Sequence, residues 1–181
     1  MENDPNSFAW YESLRARYRP KTIRILFTGE SPPDPGDGDR RSFYSPLLNV
    51  DNLDQVVAET SYGPAHGFDV TAKVANLERT RSDGIWLIDS AAEPVNANTS
   101  AARRRAIRSN VHGPFTGRRT IPAEVGVTIS QGVIYAEVSR PLRDAGVAVL
   151  HKSSLPFPLG NTCAQFVARA RRALTDIGLR R

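Results

Sequence analysis

The sequence predicts a single α/β domain in three layers, with helices covering both faces of a central four-stranded parallel sheet. Three observations carry that expectation. Short apolar runs rich in β-formers alternate with longer stretches at helical spacing, the pattern of strand–helix–strand units. The runs are apolar without alternation, as in Ile85-Trp-Leu-Ile88, which fits strands buried on both faces. At 181 residues the chain is long enough to bury a core without disulfides or a structural metal. Residues 1–181 are therefore read as one unit, with residues 1–20 as an N-terminal helical segment.

Ser7 is placed to cap a first helix ending near Arg17, with Phe8, Tyr11 and Leu14 on one stripe. Strand one follows at Thr22–Phe27. It stops at Gly29, and Pro32-Pro33 fix φ and remove two amide donors. The stiff loop so formed carries Glu30 and Ser31 at the carboxyl end of a buried strand, where open α/β sheets bind ligands. Residues 34–41 are a polar loop without periodicity. Helices are expected over 46–61, with Leu47, Leu48, Leu53, Val56 and Val57 as its apolar positions, and over 68–81. Strand two is Gly84–Ile88 and the basic helix 99–109 follows. Strand three is Gly126–Ser130, a helix spans 131–144, and strand four is Val147–Leu150. The last helix, 162–177, has Phe166, Val167, Ala170 and Leu174 at core-facing spacing.

Charge and cysteine content narrow the function classes. The chain holds 24 Lys+Arg against 19 Asp+Glu, a formal +5, and all but three of those cations are arginine. Arginine grips phosphate through a planar fork of donors, which suits a nucleic-acid partner. Arg-rich coding with charges merely solvating helix faces gives the same composition. Cys163 is the only cysteine, so no internal disulfide and no cysteine-held zinc or iron–sulfur cluster is possible. No apolar run approaches the roughly 20 residues of a membrane span. Met1-Glu-Asn-Asp-Pro5 has neither the basic flank nor the apolar core of a signal peptide. The expectation is a cytoplasmic monomer without membrane association.

Three segments carry a family resemblance. Gly29-Glu-Ser-Pro-Pro33, followed by Ser42-Phe-Tyr44, resembles the first motif of the uracil-DNA glycosylase superfamily. Trp86-Leu-Ile-Asp-Ser-Ala-Ala-Glu-Pro-Val-Asn96 is similar to the strand and loop that read the extruded base. Leu155-Pro-Phe-Pro-Leu-Gly160 is similar to the Pro-rich loop that enters the duplex. The resemblance covers most of residues 20–177. It implies a uracil-DNA glycosylase-like fold with strand order 2-1-3-4, a DNA partner and no cofactor or metal. The single cysteine separates this chain from branches with a four-cysteine cluster.

A glycosylase acting on duplex DNA rotates its target base into a pocket. Under the resemblance Glu30 is the carboxylate that orients water or stabilises charge on the sugar, with Ser31 in support. Glu30 could equally cap amides of its own turn. Phe43 is the ring expected to stack on the base and Tyr44 its neighbour, one of the two being core. Asp89 stands where uracil-removing relatives offer Asn. An ionised Asp only accepts hydrogen bonds, so it suits an exocyclic amino group and repels the uracil carbonyl. Capping the turn of Ser90–Asn96 is its structural alternative. Asn96 and Glu93 share that loop, and Glu30 and Asp89 are expected close together.

Arg103, Arg104 and Arg105 open the basic helix and are placed to clamp phosphate. They point in three directions, so one can instead pair with Glu30 or Glu93. Pro156, Phe157 and Pro158 form a rigid apolar tip suited to wedging into a base stack. The family places a His just before that proline, where this chain has Leu155. The nearest candidate, His151, reads as a solvent-facing residue at a strand end. The combined reading is a DNA glycosylase excising a base with an exocyclic amino group, such as a modified cytosine in foreign DNA. Ordinary uracil excision and a catalytically silent DNA-binding module are the alternatives. The usual nucleotide cradles, G-x-x-x-x-G-K-[ST] and G-x-G-x-x-G, are absent from the Gly29–Gly38 loop.

Overall fold

The computed structural model describes residues 9–34, 41–48, 53–64, 69–111, 121–122 and 124–175. Among them, six helices surround four strands in the order α1 Ala9–Arg17, β1 Ile25–Gly29, α2 Leu53–Tyr62, α3 Val70–Asp83, β2 Ile85–Asp89, α4 Ser100–Val111, β3 Gly126–Ile129, α5 Gly132–Asp144, β4 Ala148–Val149 and α6 Cys163–Thr175. The sheet is entirely parallel, in the order β2-β1-β3-β4. The predicted fold class and strand order both hold. Ser7, the proposed cap of the first helix, and most of the polar 34–41 loop lie outside the described residues.

Each face of the sheet carries its own core. On one face Ile25, Phe27, Ile85 and Leu87 pack against Val56 and Val57 of α2, Leu77 of α3 and Phe166 of α6. On the other, Leu26, Ile88, Val127 and Ile129 meet Ile107 of α4 and Ile134, Val138 and Leu142 of α5. Strands with apolar side chains on both faces account for the unbroken apolar runs. Asp69 caps α3, its carboxylate accepting from the Ala72 amide at 2.7 Å. Gly84 ends that helix in the left-handed region at φ 80°, and a Cβ there would lie 2.7 Å from the Thr22 carbonyl. Only glycine satisfies both demands.

Strand one, expected at Thr22–Phe27, runs instead from Ile25 to Gly29, and two further elements differ from expectation. The helix predicted over 46–61 begins at Leu53, and residues 41–48 form a loop. The Leu47 amide donates to Ser45 Oγ at 3.2 Å and the Leu47 carbonyl accepts from Lys73 Nζ at 2.6 Å. Side chains thus take the groups a helix would have used, and Leu47 is left exposed. Strand four is two residues long because residues 151–154 bulge away from β3. His151 Nε2 accepts the Ile129 amide at 2.8 Å, and the chain rejoins at Leu155, whose amide donates to the Ile129 carbonyl at 3.0 Å. His151 is therefore half-buried and built into the sheet, not solvent-facing as the sequence suggested.

Candidate functional site at the carboxyl end of the sheet

The loops after β1 and β2 run side by side. The Ser90 amide donates to the Gly29 carbonyl at 3.0 Å and the Ala91 amide to the Glu30 carbonyl at 2.8 Å. Ser31 Oγ accepts a long bond, 3.4 Å, from the Val95 amide. Glu30 and Asp89 therefore begin from neighbouring backbones, as expected. Their side chains then diverge to opposite faces of the sheet, which the sequence reading did not anticipate.

Asp89 turns to the α2–α3–α6 face. Its Oδ1 lies where a Cβ on Gly29 would be only 2.4 Å away, with Leu87 beside it. Gly29 is thus needed so that the carboxylate can lie over the β1 backbone. Asp89 is buried, and its Oδ2 accepts from the hydroxyl of Tyr11 on α1. Burial first, and then the adjacent Asp89 carboxylate, push the Tyr11 phenol well above its ordinary pKa, so it stays a donor. The sequence marks Tyr11 only as part of a helical stripe. Nothing in a local pattern joins residues 78 positions apart.

Glu30 turns to the α4 face and is buried. Both its oxygens accept from Arg103, from Nε and from a terminal guanidinium nitrogen, in a fork-on-fork pair. The hydrogen bonds to Glu30 raise the Arg103 pKa above its already high value. Of the three consecutive arginines, one is thereby held by the protein itself. Arg104 lies 3.9 Å from Glu137 of α5 and Arg105 is exposed. Arg108 joins the same Glu137 at 3.1 Å.

Phe43 and Tyr44 are both buried in the core of the first face. The Tyr44 ring stacks on Tyr18 at 6.0 Å and meets Phe43 edge-on at 4.8 Å. Its hydroxyl donates to the Leu87 carbonyl and accepts from the Leu87 amide, each at 2.8 Å. Leu87 lies on β2, the outer strand, so Tyr44 closes the sheet edge there. Neither ring offers an open stacking face in this conformation. Asn96 is exposed on its loop, whereas Asp89 is buried.

The Pro-rich segment is held firmly. Arg143 of α5 donates to the His151 carbonyl at 2.7 Å and Arg169 of α6 to the Ser154 carbonyl at 3.2 Å. Leu155 is 1% exposed and belongs to the core. Pro156 and Phe157 are half-buried and Pro158 is buried. The apolar side chain the loop presents to solvent is Leu159, 59% exposed. A large apolar residue between Pro158 and Gly160, with no helical or strand partner, is the signal that would have marked it. Among the described residues no His/Cys/Asp/Glu group has a metal-binding arrangement, and no helix is long and apolar enough to cross a membrane.

No protein-family model matches the chain, and neither the curated proteins nor the solved structures yield a match.

Proposed function

We propose that the chain is a DNA-binding protein that extrudes a nucleotide and hydrolyses the C1′–N bond of a base bearing an exocyclic amino group. The observation that carries this reading is Asp89. It is a buried, acceptor-only carboxylate at the carboxyl end of a parallel strand, lying over a glycine and already holding an O–H donor. A cytosine-type amino group presents the same kind of donor, whereas the uracil O4 presents another acceptor. A site built on such a bond discriminates by orders of magnitude when the partner is wrong.

Leu159, rather than Phe157, is the side chain free to enter a base stack, and Arg104 and Arg105 supply exposed basic surface on α4. Glu30 has a role in catalysis only if Arg103 exchanges it for a DNA phosphate, one anionic partner for another. Glu30 then takes a proton from the attacking water as the base departs with the bonding electron pair. The closed Glu30–Arg103 fork favours a second reading, a DNA-binding module of the same fold without chemistry.

The test is a panel of single- and double-stranded DNA carrying uracil, cytosine, or hydroxymethylated or glucosylated cytosine, followed by alkali to reveal abasic sites. Release of an amino-bearing base by the parent, lost in Glu30→Gln and shifted toward uracil in Asp89→Asn, is the expected outcome. Efficient uracil release undiminished by Glu30→Gln would overturn both residue assignments. Binding without strand scission on any DNA selects the silent module.

A further inference from the structure

Gln131 stands out in the backbone. Among the described residues it alone, glycines aside, has a positive φ, at φ 66° and ψ 136°. Glycine enters that region freely, whereas a residue with a Cβ enters it only at a cost. The conformation is imposed from both sides. The Gln131 amide donates to the Leu155 carbonyl at 2.9 Å, and its carbonyl accepts from the Tyr135 amide at 3.1 Å. Glycine would make both bonds without strain, so the side chain needs a role of its own. No polar contact within the fold supplies one. Gln131 is half-buried, it does not cap α5, and its carboxamide has no hydrogen-bond partner among the described residues.

The topology sets Gln131 where a ligand would meet it. The chain leaves β1 for the α2–α3 face and reaches β2 on one side; it leaves β3 for the α5 face and reaches β4 on the other. Connections that diverge in this way make the carboxyl ends of β1 and β3 the topological switch point, where open α/β sheets bind ligands. The last paired residues of these strands are Thr28 and Ile129, and two places beyond them stand Glu30 and Gln131. Ser31 is half-buried and Gly132 exposed, so this end of the sheet faces solvent.

We propose that Gln131 reads the ligand of this protein at the β1–β3 switch point, and that ligand contact, not the fold, accounts for a side chain at this backbone position. The ligand class follows from the group. A carboxamide holds an acceptor oxygen and an NH2 donor side by side. Its match is a planar edge with a donor next to an acceptor, as on an amide or a nucleobase; cytosine presents N4–H beside N3. Naming an extruded base as the ligand rests on the proposed function; the strain and the switch point do not.

Fluorescence anisotropy with two duplexes is the direct experiment. One carries a central cytosine opposite adenine; in the other that cytosine is replaced by tetrahydrofuran, a sugar without a base. The parent should bind the cytosine duplex more tightly. Gln131→Ala and Gln131→Gly should each bind it about tenfold less tightly than the parent does, the loss of a well-placed pair of hydrogen bonds. Both should bind the tetrahydrofuran duplex as the parent does. The two variants should part in urea. Gln131→Gly should unfold at a higher midpoint than Gln131→Ala, which keeps a Cβ in the strained region. Preference for the cytosine duplex kept by either variant, or a Gln131→Gly midpoint no higher than that of Gln131→Ala, would overturn the proposal and leave base extrusion standing. A parent indifferent to the two duplexes would sink base extrusion, and Gln131 as base reader with it. Preference lost in both variants, with no abasic site formed in any DNA, would sink excision alone and leave Gln131 as the reading residue.

Discussion

Arg103 and Glu30 show how one residue pair redistributes roles among three similar neighbours. Three arginines in a row carry no sequence mark of which one turns inward, because that depends on where the β1 loop passes α4. Arg103→Ala leaves the buried Glu30 carboxylate without its fork and is expected to destabilise the fold by about 1–3 kcal/mol, less than for a fully buried pair because Arg103 is a third exposed. Urea denaturation measures this, and restoration by Glu30→Gln in the same background is the expected companion result. His151 was equally illegible, since its partner is a backbone amide across the sheet. Its ring accepts from Ile129 and donates from Nδ1 to the Ser153 carbonyl at 2.6 Å. Burial first, and the nearby Arg143 and Arg169 charges in addition, lower its pKa, while the Ser153 bond opposes them. The unfolded chain therefore takes up the proton first, near pH 6.5. The contribution of His151 is complete above that value and is lost as pH falls through the lower folded value. Stability should drop between pH 7.5 and 5.5 more in the parent than in His151→Gln, read as denaturation midpoints.

At the scale of elements, the helices and strands with unambiguous apolar periodicity were legible, because their pattern is decided by burial. The boundaries that shifted are those where a side chain captures backbone groups. Lys73, 1% exposed, does this for the whole 42–48 loop, donating to the Ser42 carbonyl at 3.1 Å and the Leu47 carbonyl at 2.6 Å and pairing with Asp54 at 2.9 Å. A buried lysine bound to these acceptors clamps the loop that carries Phe43 and Tyr44 to α2 and α3. Lys73→Met should cost about 3–5 kcal/mol, mostly by stranding the buried Asp54 charge. Asp54→Leu in the same chain should recover part of it, and a cost that does not change on adding Asp54→Leu would show that the ion pair is not the clamp. Tyr44 acts similarly at the open edge of β2. Tyr44→Phe leaves the Leu87 amide and carbonyl without the hydroxyl, an expected loss of about 1–3 kcal/mol for each buried group left unpaired.

Across the whole molecule, the sheet separates a face that holds Asp89 from a face that carries Glu30 and the arginines of α4. That division was hidden in the sequence because Gly29 and Glu30 are adjacent in the chain, yet one lies beneath Asp89 and the other points at Arg103. It also makes the DNA-binding proposal measurable apart from any chemistry. Arg104 and Arg108 share Glu137, which is largely buried at 16% side-chain exposure, while the two arginines are more than half exposed. Pairs whose arginines are this exposed are screened by solvent and contribute little to stability, but they withhold positive charge from a phosphate. Glu137→Gln should therefore leave the fold nearly as stable and strengthen binding to a short duplex. Each arginine that newly meets a phosphate steepens the dependence of log affinity on log salt by about 0.9. Arg105→Ala, which frees no partner carboxylate, should do the opposite and flatten that slope by about one unit. Fluorescence anisotropy across a salt series reads both. A Glu137→Gln slope equal to the parent's, together with an unaffected Arg105→Ala slope, would place the nucleic-acid surface elsewhere than α4.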